Sequence, residues 1–322
     1  GARVIHHPWR DDFAEPRNVG LDAAEGQWIL YIDADERLGP TDRQTVERLL
    51  HNAEETAFRV LLRPDLHSTP YFEHRLWRHD PRIRFRGRIH EKVTPAIAAV
   101  SRNDRRRVGD CGLLLTHVGY EGDQAHKHRR NLPLLRAELE HDPNNLFNRH
   151  HLARVLQGLG EQGEASRVLS EAAELARHRP FDPLGVLVFT DLIRLRRDRG
   201  EDVRELLLEA RSRYPHNKLL WWIAAARHVT AKEYSEALEL LDQLLAVELA
   251  TLPAEGVAYD QRIFGEFVHE ARGVCLFRLG RYREAADAYA AASRADPSNL
   301  AYRAKWKVAL GRADQTAFRG VG

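Results

Sequence analysis

Asp33-Ala34-Asp35-Glu36 breaks an apolar run and sets three carboxylates within four residues. Carboxylate oxygens are ligands for hard divalent cations, which in turn hold the anionic oxygens of a substrate. Asp33 and Asp35 stand two apart and would be side-chain neighbours if strand geometry continued, where the period is two. At the strand's end the backbone turns, and both can then reach one cation. An Asp-x-Asp pair alone arises by chance about once in a chain of this size, and a solvated acidic turn is the plainer alternative. Context decides. The preceding residues, Trp28 to Ile32, are apolar without alternation, which predicts a short strand buried on both faces in a parallel sheet. Open α/β sheets bind ligands at the carboxyl ends of such strands.

The elements that must position these acids can be followed along the chain. Val4-Ile5 reads as a short strand. Asp11 and Asp12 are candidate caps for a helix running to about Glu25, with Gly26 just past its end. Pro16 is compatible with that helix if it begins near Ala14, which places the proline in the first turn. Pro40-Thr41 opens an amphipathic helix through Leu49-Leu50. Strand-like segments follow at Ala57 to Leu62 and Phe72 to Arg78, then Pro81 and the stretch Ile83 to Val93. Gly87 permits close backbone approach just before His90-Glu91. An irregular basic loop around Arg102 to Val108 leads to a strand at Leu113 to His117.

From about Gln124 the pattern becomes purely helical, with Lys127 to Glu140 as the first helix and Pro143 beyond it. A degenerate repeat of about 34 residues then emerges. Leu152-Ala153, Gly160, Ala165, Leu169 and Ala172 fit one tetratricopeptide unit, and Trp221, Ala224-Ala225, Ala237 and Leu241 another. Gly273, Gly280, Tyr282, Ala285, Tyr289, Ala292 and Pro297 fit a third, with a weaker unit around Val203, Leu207 and Ala210. Leu252 to Gln261 is an insertion, and Asn299 to Leu310 a terminal helix. Such units bury their apolar faces only by stacking, so the expectation is a helical solenoid and not an ordinary bundle.

At 322 residues the chain is long enough for about two domains, expected at 1–122 and 123–322. No apolar run approaches the ~18 residues of a membrane span; the longest, Leu219 to Ala226, is far short. The balance of 49 basic and 47 acidic residues argues against a dedicated nucleic-acid binder. Two cysteines, Cys111 and Cys275, suggest no disulfide framework, which makes the cytoplasm the expected compartment. There is no methionine, even at position 1, which suggests an amino-terminally incomplete chain.

The stretch Trp9 to Leu21, then Ala24, Gly26 and the strand ending in Asp33-Ala-Asp-Glu36, resembles the family-2 glycosyltransferases of the GT-A fold. Arg75-Leu-Trp-Arg78, Phe85-Arg-Gly-Arg-Ile-His-Glu91 and Thr116-His-Val-Gly-Tyr120 continue the likeness in the family's order, over about the first third of the chain. The resemblance is strongest to the subgroup with helical repeats behind the transferase domain, which includes peptide S-glycosyltransferases. It implies an incomplete Rossmann-type GT-A sheet followed by an all-α, tetratricopeptide-like solenoid.

The activity so implied is metal-dependent, inverting transfer of a sugar from a nucleotide-diphosphate donor, a uridine-diphosphate sugar foremost. The acceptor would be a peptide, protein or saccharide on the solenoid's concave face, and a homodimer is compatible. Asp35 is the first ligand expected for Mn²⁺ or Mg²⁺, with Asp33 completing the shell or contacting the ribose. His117 is implied as a further ligand; a core histidine is its alternative. Arg17 and Asn18 match the family's Arg-Asn pair and imply a place beside the donor diphosphate, with a surface ion pair of Arg17 as the alternative. Lys127 and Arg130, at the start of the first long helix, could lean over the diphosphate, with a solvated helix face as the alternative. Glu91 is the candidate general base, since an inverting transfer needs a carboxylate opposite the leaving group. An ion pair of Glu91 with Arg84, Arg86 or Arg88 is the alternative. A non-catalytic repeat scaffold with a degenerate transferase domain is the competing function.

Overall fold

A computed structural model describes residues 2–118, 124–179 and 182–319. Residues 2–13 form neither helix nor strand, and Val4 and Ile5 are exposed, so the short strand expected there is not formed. Helix α1 covers Ala14–Asp22. The Asp12 carboxylate accepts from the amides of Ala14 (2.7 Å) and Glu15 (3.0 Å), satisfying two of the donors a helix start leaves open. Pro16 falls in this first turn, where no amide is needed. The helix ends before Glu25, because the Ala24 amide turns back to the Leu21 carbonyl.

Five strands follow: β1 Trp28–Leu30, β2 Glu36–Leu38, β3 Ala57–Arg63, β4 Tyr71–Arg78 and β5 Val108–His117, with α2 Arg43–His51 and α3 Thr94–Asn103 between them. Their order is β1-β4-β3-β5-β2; β3 and β5 are parallel and the other neighbours antiparallel. The acid-bearing run is therefore an edge strand, antiparallel to β4, and not a central parallel one. Its lack of alternation has a different cause: both faces are covered. Trp28 and Leu30 pack with Phe58, Leu76 and α2, whereas Ile29 and Tyr31 pack with Trp77, Phe85, α1 and α3. Apolar continuity reports covered faces and says nothing of lateral neighbours.

Asp42 caps α2 through the Thr45 amide (2.6 Å). Ile83 to Val93 is no strand. It is a loop closed by mutual backbone bonds of Arg86 and Lys92 (3.1 and 2.9 Å), with Ile83, Phe85 and Ile89 buried beneath. Gly87 (φ 104°) and His90 (φ 53°) both have left-handed backbone, which only glycine adopts freely. The basic stretch at Arg102 begins as the last turn of α3, whose start is marked by Pro95 in its first turn.

The rest is helical: α4 Ala125–His141, α5 Leu146–Gly158, α6 Gln162–Arg177, α7 Pro183–Asp198, α8 Arg204–Arg213, α9 Lys218–Thr230, α10 Tyr234–Leu245, α11 Glu266–Arg278, α12 Tyr282–Ala295 and α13 Leu300–Arg319. The expected repeats fall on α5–α6, α9–α10 and α11–α12, the weaker one on α8, and α13 ends the series. The insertion forms 3₁₀ turns at Leu249–Glu255 and Gln261–Phe264. Two compact units emerge, residues 1–66, 70–196 and 252–258 in one, and 67–69, 197–251 and 259–322 in the other. The boundary expected at 122/123 marks a change of secondary structure; the packing division comes at Arg196, since α4 to α6 and most of α7 join the unit of the sheet.

In the second unit, a Cβ at Gly273 would lie 2.7 Å from the Tyr289 ring, so α11 and α12 meet only because residue 273 has no side chain. Gly273→Ala is expected to destabilise by ~1–2 kcal/mol, overpacking outweighing the helix-propensity gain. Gly311→Ala in α13, where a Cβ meets nothing within 4 Å, is expected to stabilise by up to ~1 kcal/mol. Urea denaturation of the two variants measures the contrast.

Candidate functional site

The acidic turn is built on itself. The Glu36 amide donates to the Asp33 carbonyl (2.9 Å), and the Asp33 amide donates to the Glu36 carboxylate (2.8 Å). That carboxylate is only 4% exposed as a residue and receives both terminal nitrogens of Arg75, itself 7% exposed, at 2.9 and 3.2 Å. Burial pushes the Glu36 carboxyl above the ordinary carboxylate range, against the Asp33 amide and Arg75. Burial also opposes the Arg75 charge, but Glu73, Glu36 and Asp33 together hold the guanidinium more firmly protonated than usual. Arg75 comes from β4, and its carbonyl accepts from the Tyr31 amide (2.8 Å), so the turn and its counter-ion are locked through the β1–β4 edge.

Asp33 is engaged from three sides. It accepts from Arg17 Nη1 (2.8 Å) and the Tyr31 hydroxyl (2.5 Å), and Arg75 Nη1 lies at 3.5 Å. The Tyr31 ring is flanked by both guanidiniums, Arg17 at 4.6 Å and Arg75 at 4.7 Å from its centroid. Arg17 then reaches the Glu91 carboxylate through Nε, so one arginine bridges the expected base to the first acid of the turn. The partner of Glu91 is thus Arg17, and not Arg84, which pairs with Asp22 (2.5 Å). Burial raises the Glu91 pKa, with Arg17 working in the opposite direction.

Asp35 meets His117 at 3.1 Å (Oδ2 to Nε2). Strand register produces this contact: Glu36 pairs with His117 in the β2–β5 ladder, and the Val118 amide donates to the Asp35 carbonyl (2.8 Å). Among the described residues, no three His, Cys, Asp or Glu side chains converge closely enough to hold a metal ion on their own. Asp35 and His117 still suit a cation that takes one or two protein ligands and fills its shell with water and substrate phosphate. Asn18 lies elsewhere. Its carboxamide donates to the Phe85 carbonyl (3.0 Å) and accepts from the Phe85 amide (2.9 Å), pinning the Ile83–Val93 loop to α1. Arg130 lies over the Phe13 ring at 4.9 Å and Lys127 is exposed; among the described residues neither forms an ion pair with the acids above. Gly119 and Tyr120 fall outside the described residues. A groove of about 460 Å³ runs between α1 and β1, lined by Arg17, Gly20, Ala24, Tyr31 and Phe85 among others.

Residues 1–101 match the glycosyl transferase family 2 profile, and residues 267–299 a tetratricopeptide repeat. That match takes in α1, β1 to β4, α2 and most of α3. A TPR repeat-containing protein of Synechococcus elongatus is 30% identical over 188 residues, 56% of this chain and 46% of that protein. The SPbeta prophage-derived glycosyltransferase SunS of Bacillus subtilis is 24% identical over 178 residues, 52% of this chain and 40% of that protein. The chain thus spans less than half the length of these relatives. A tetratricopeptide repeat protein structure from Parabacteroides merdae aligns with a TM-score of 0.44 at 12% identity, covering 61% of this chain and 71% of that one. No helix among the described residues is long and apolar enough to cross a membrane.

Two residues of the site, Tyr31 and Arg75, are not among those expected from the sequence. Arg75 carried a signal: a lone arginine beside Leu76-Trp77 on a strand bound for the core needs an acid. Glu36→Gln is expected to destabilise the domain by about 3 kcal/mol, the lower end for breaking a buried pair, since Arg75 keeps Glu73 and Asp33. Thermal and urea unfolding give the value.

Proposed function

We propose that the chain is a metal-dependent, inverting glycosyltransferase that uses a nucleotide-diphosphate sugar, a uridine-diphosphate sugar foremost. The observation that carries the reading is the pairing of Asp35 with His117 at the rim of the sheet, next to the chain Asp33–Arg17–Glu91. Asp35 and His117 would hold Mn²⁺ or Mg²⁺, imidazole favouring Mn²⁺, with Asp33 beside them toward the ribose. The cation supplies neutralisation of the charge that develops on the leaving diphosphate.

Glu91 takes the proton of the acceptor hydroxyl or thiol as its oxygen or sulfur bonds to the anomeric carbon. The bond from that carbon to the phosphate oxygen breaks, and the diphosphate leaves with the electron pair. Arg17 serves both ends of this exchange. It shields Glu91 and Asp33 from each other, and its half-buried guanidinium can turn to a diphosphate oxygen. Asn18 contributes by fixing the loop that carries Glu91. Lys127 and Arg130, on α4, provide a second source of positive charge for the donor.

The acceptor is a peptide or protein, with a saccharide next, recruited by the tetratricopeptide repeats, whose stacked helices suit peptide binding. A homodimer is compatible with this arrangement. Both cysteines are free and buried, which suits a reducing compartment such as the cytoplasm. A second reading, a repeat scaffold carrying a degenerate transferase domain, is favoured by the lack of a preformed three-ligand metal group among the described residues. Calorimetry with uridine-diphosphate glucose and Mn²⁺ separates the two: heat that requires both favours the enzyme, and none favours the scaffold.

Asp35→Ala is expected to abolish cation-dependent donor turnover, and unchanged turnover would remove the proposed metal site. Glu91→Gln is expected to lower kcat by ~10²–10⁴-fold with donor affinity kept. A base must be ionised to act, and the pKa of Glu91 is raised by burial. The rate should therefore rise with pH through a limb above the ordinary carboxylate range, a limb that Glu91→Gln erases.

A further inference from the structure

His90 and Glu91 are neighbours at a bend of the loop, and their side chains make separate contacts. Glu91 turns to Arg17 and the acidic turn. His90 turns to α5, where its ring meets that of His151 at 3.8 Å between centroids, tilted by 34°, and the edge of Phe147 at 5.3 Å. Phe147 and His151 pack together at 4.4 Å, and Lys92 caps the Phe147 ring at 3.9 Å. Helix α5 is anchored in turn by His150, buried, whose Nε2 lies 2.9 Å from Asp191 on α7.

We propose that His151 is a positioning residue for Glu91, its ring holding His90 in a left-handed backbone and thereby aiming the next residue at Arg17. The inference rests on Glu91 being the base. Three observations carry it. A histidine at φ 53° keeps that conformation only where its surroundings impose it. The surroundings that touch the His90 ring, His151 and Phe147, both come from α5. The loop has a second left-handed residue at Gly87, and its backbone is held at Phe85 by Asn18, at Arg88 by the Phe13 amide and by the Arg86–Lys92 pair, contacts that flank His90 and do not include it.

The stack consists of neutral rings. Burial, followed by Lys92, Arg154 and His150, pushes His90 down to about 4. Burial, followed by His90, His150, Arg154 and Lys92, pushes His151 to about 2. Two uncharged imidazoles can lie face against face where two imidazolium ions could not. The first helices behind the sheet are on this account part of the catalytic frame, in addition to any role in recruiting an acceptor.

The test compares His151→Ala, which deletes the ring, with His151→Phe, which keeps a planar one, in the whole chain. Amide hydrogen exchange at Arg86 and Lys92 is read for each, together with hydrolysis of uridine-diphosphate glucose in Mn²⁺. In His151→Ala, exchange at those amides should quicken at least tenfold, and kcat should fall at least tenfold with KM within threefold. His151→Phe should return both to within threefold of the parent. Unchanged exchange in His151→Ala overturns the proposal, as does an equal loss in the two variants. Glu91→Gln turning over as fast as the parent would overturn the base reading instead, and the exchange comparison then judges the stack alone.

Discussion

Carboxylates crowded at one rim of a sheet repel one another, and the arrangement stands only because two guanidiniums are threaded between them. Asp33, Glu36, Glu73 and Glu91 all lie within reach of Arg17 or Arg75. Two like charges 4 Å apart cost ~4 kcal/mol at an effective dielectric of 20, so an acidic turn without these partners would splay open. The two arginines differ in one respect. The Arg75 side chain is 8% exposed, that of Arg17 24%. Arg75 is a fixed counter-ion that holds the turn, whereas Arg17 sits at the border, where its bonds can be exchanged for those of an incoming anion.

That division explains why Tyr31 has its place. Both guanidiniums lie against its ring and its hydroxyl reaches Asp33, so one residue meets both cations and the carboxylate they share. A ring with a negative face attracts a nearby cation, an interaction that an aliphatic residue there would not offer Arg17 or Arg75. The apolar run that announces the strand thus ends in a residue with an electrostatic task.

Much of this was legible in the sequence. The capped start of α1, the strands β3 and β4, the repeat helices and the pairing of Asp35 with His117 all follow from local chemistry or from the order of the motifs. The position of β1 was not, because an apolar run carries no information on which strands flank it. Helix α3 was hidden by the basic residues that end it, although Pro95 and the alanines around Ile97 are good helix-starting material. The partners of Asp33 and Glu91 were also out of sight: Arg17, Arg75 and Tyr31 lie up to 74 residues from those acids and meet them only through sheet register and the Asn18–Phe85 bond. Sequence shows which residues need partners far better than it shows which partners they find.

The two acids of the motif end in unlike company, and this bears on which of them is available to a cation. Asp33 is bound by a guanidinium that cannot give up its proton, so a metal ion there must displace Arg17 or compete with its charge. Among the described residues, the Asp35 side chain faces an imidazole, which as a neutral ring is itself a metal ligand and not a rival. A cation entering between Asp35 and His117 would replace a single imidazole contact, whereas one entering at Asp33 must unmake an ion pair. The same carboxylate chemistry, two residues apart, is thereby divided into an imidazole-facing acid and an arginine-facing one, and the division is made by β2–β5 register on one side and by α1 on the other.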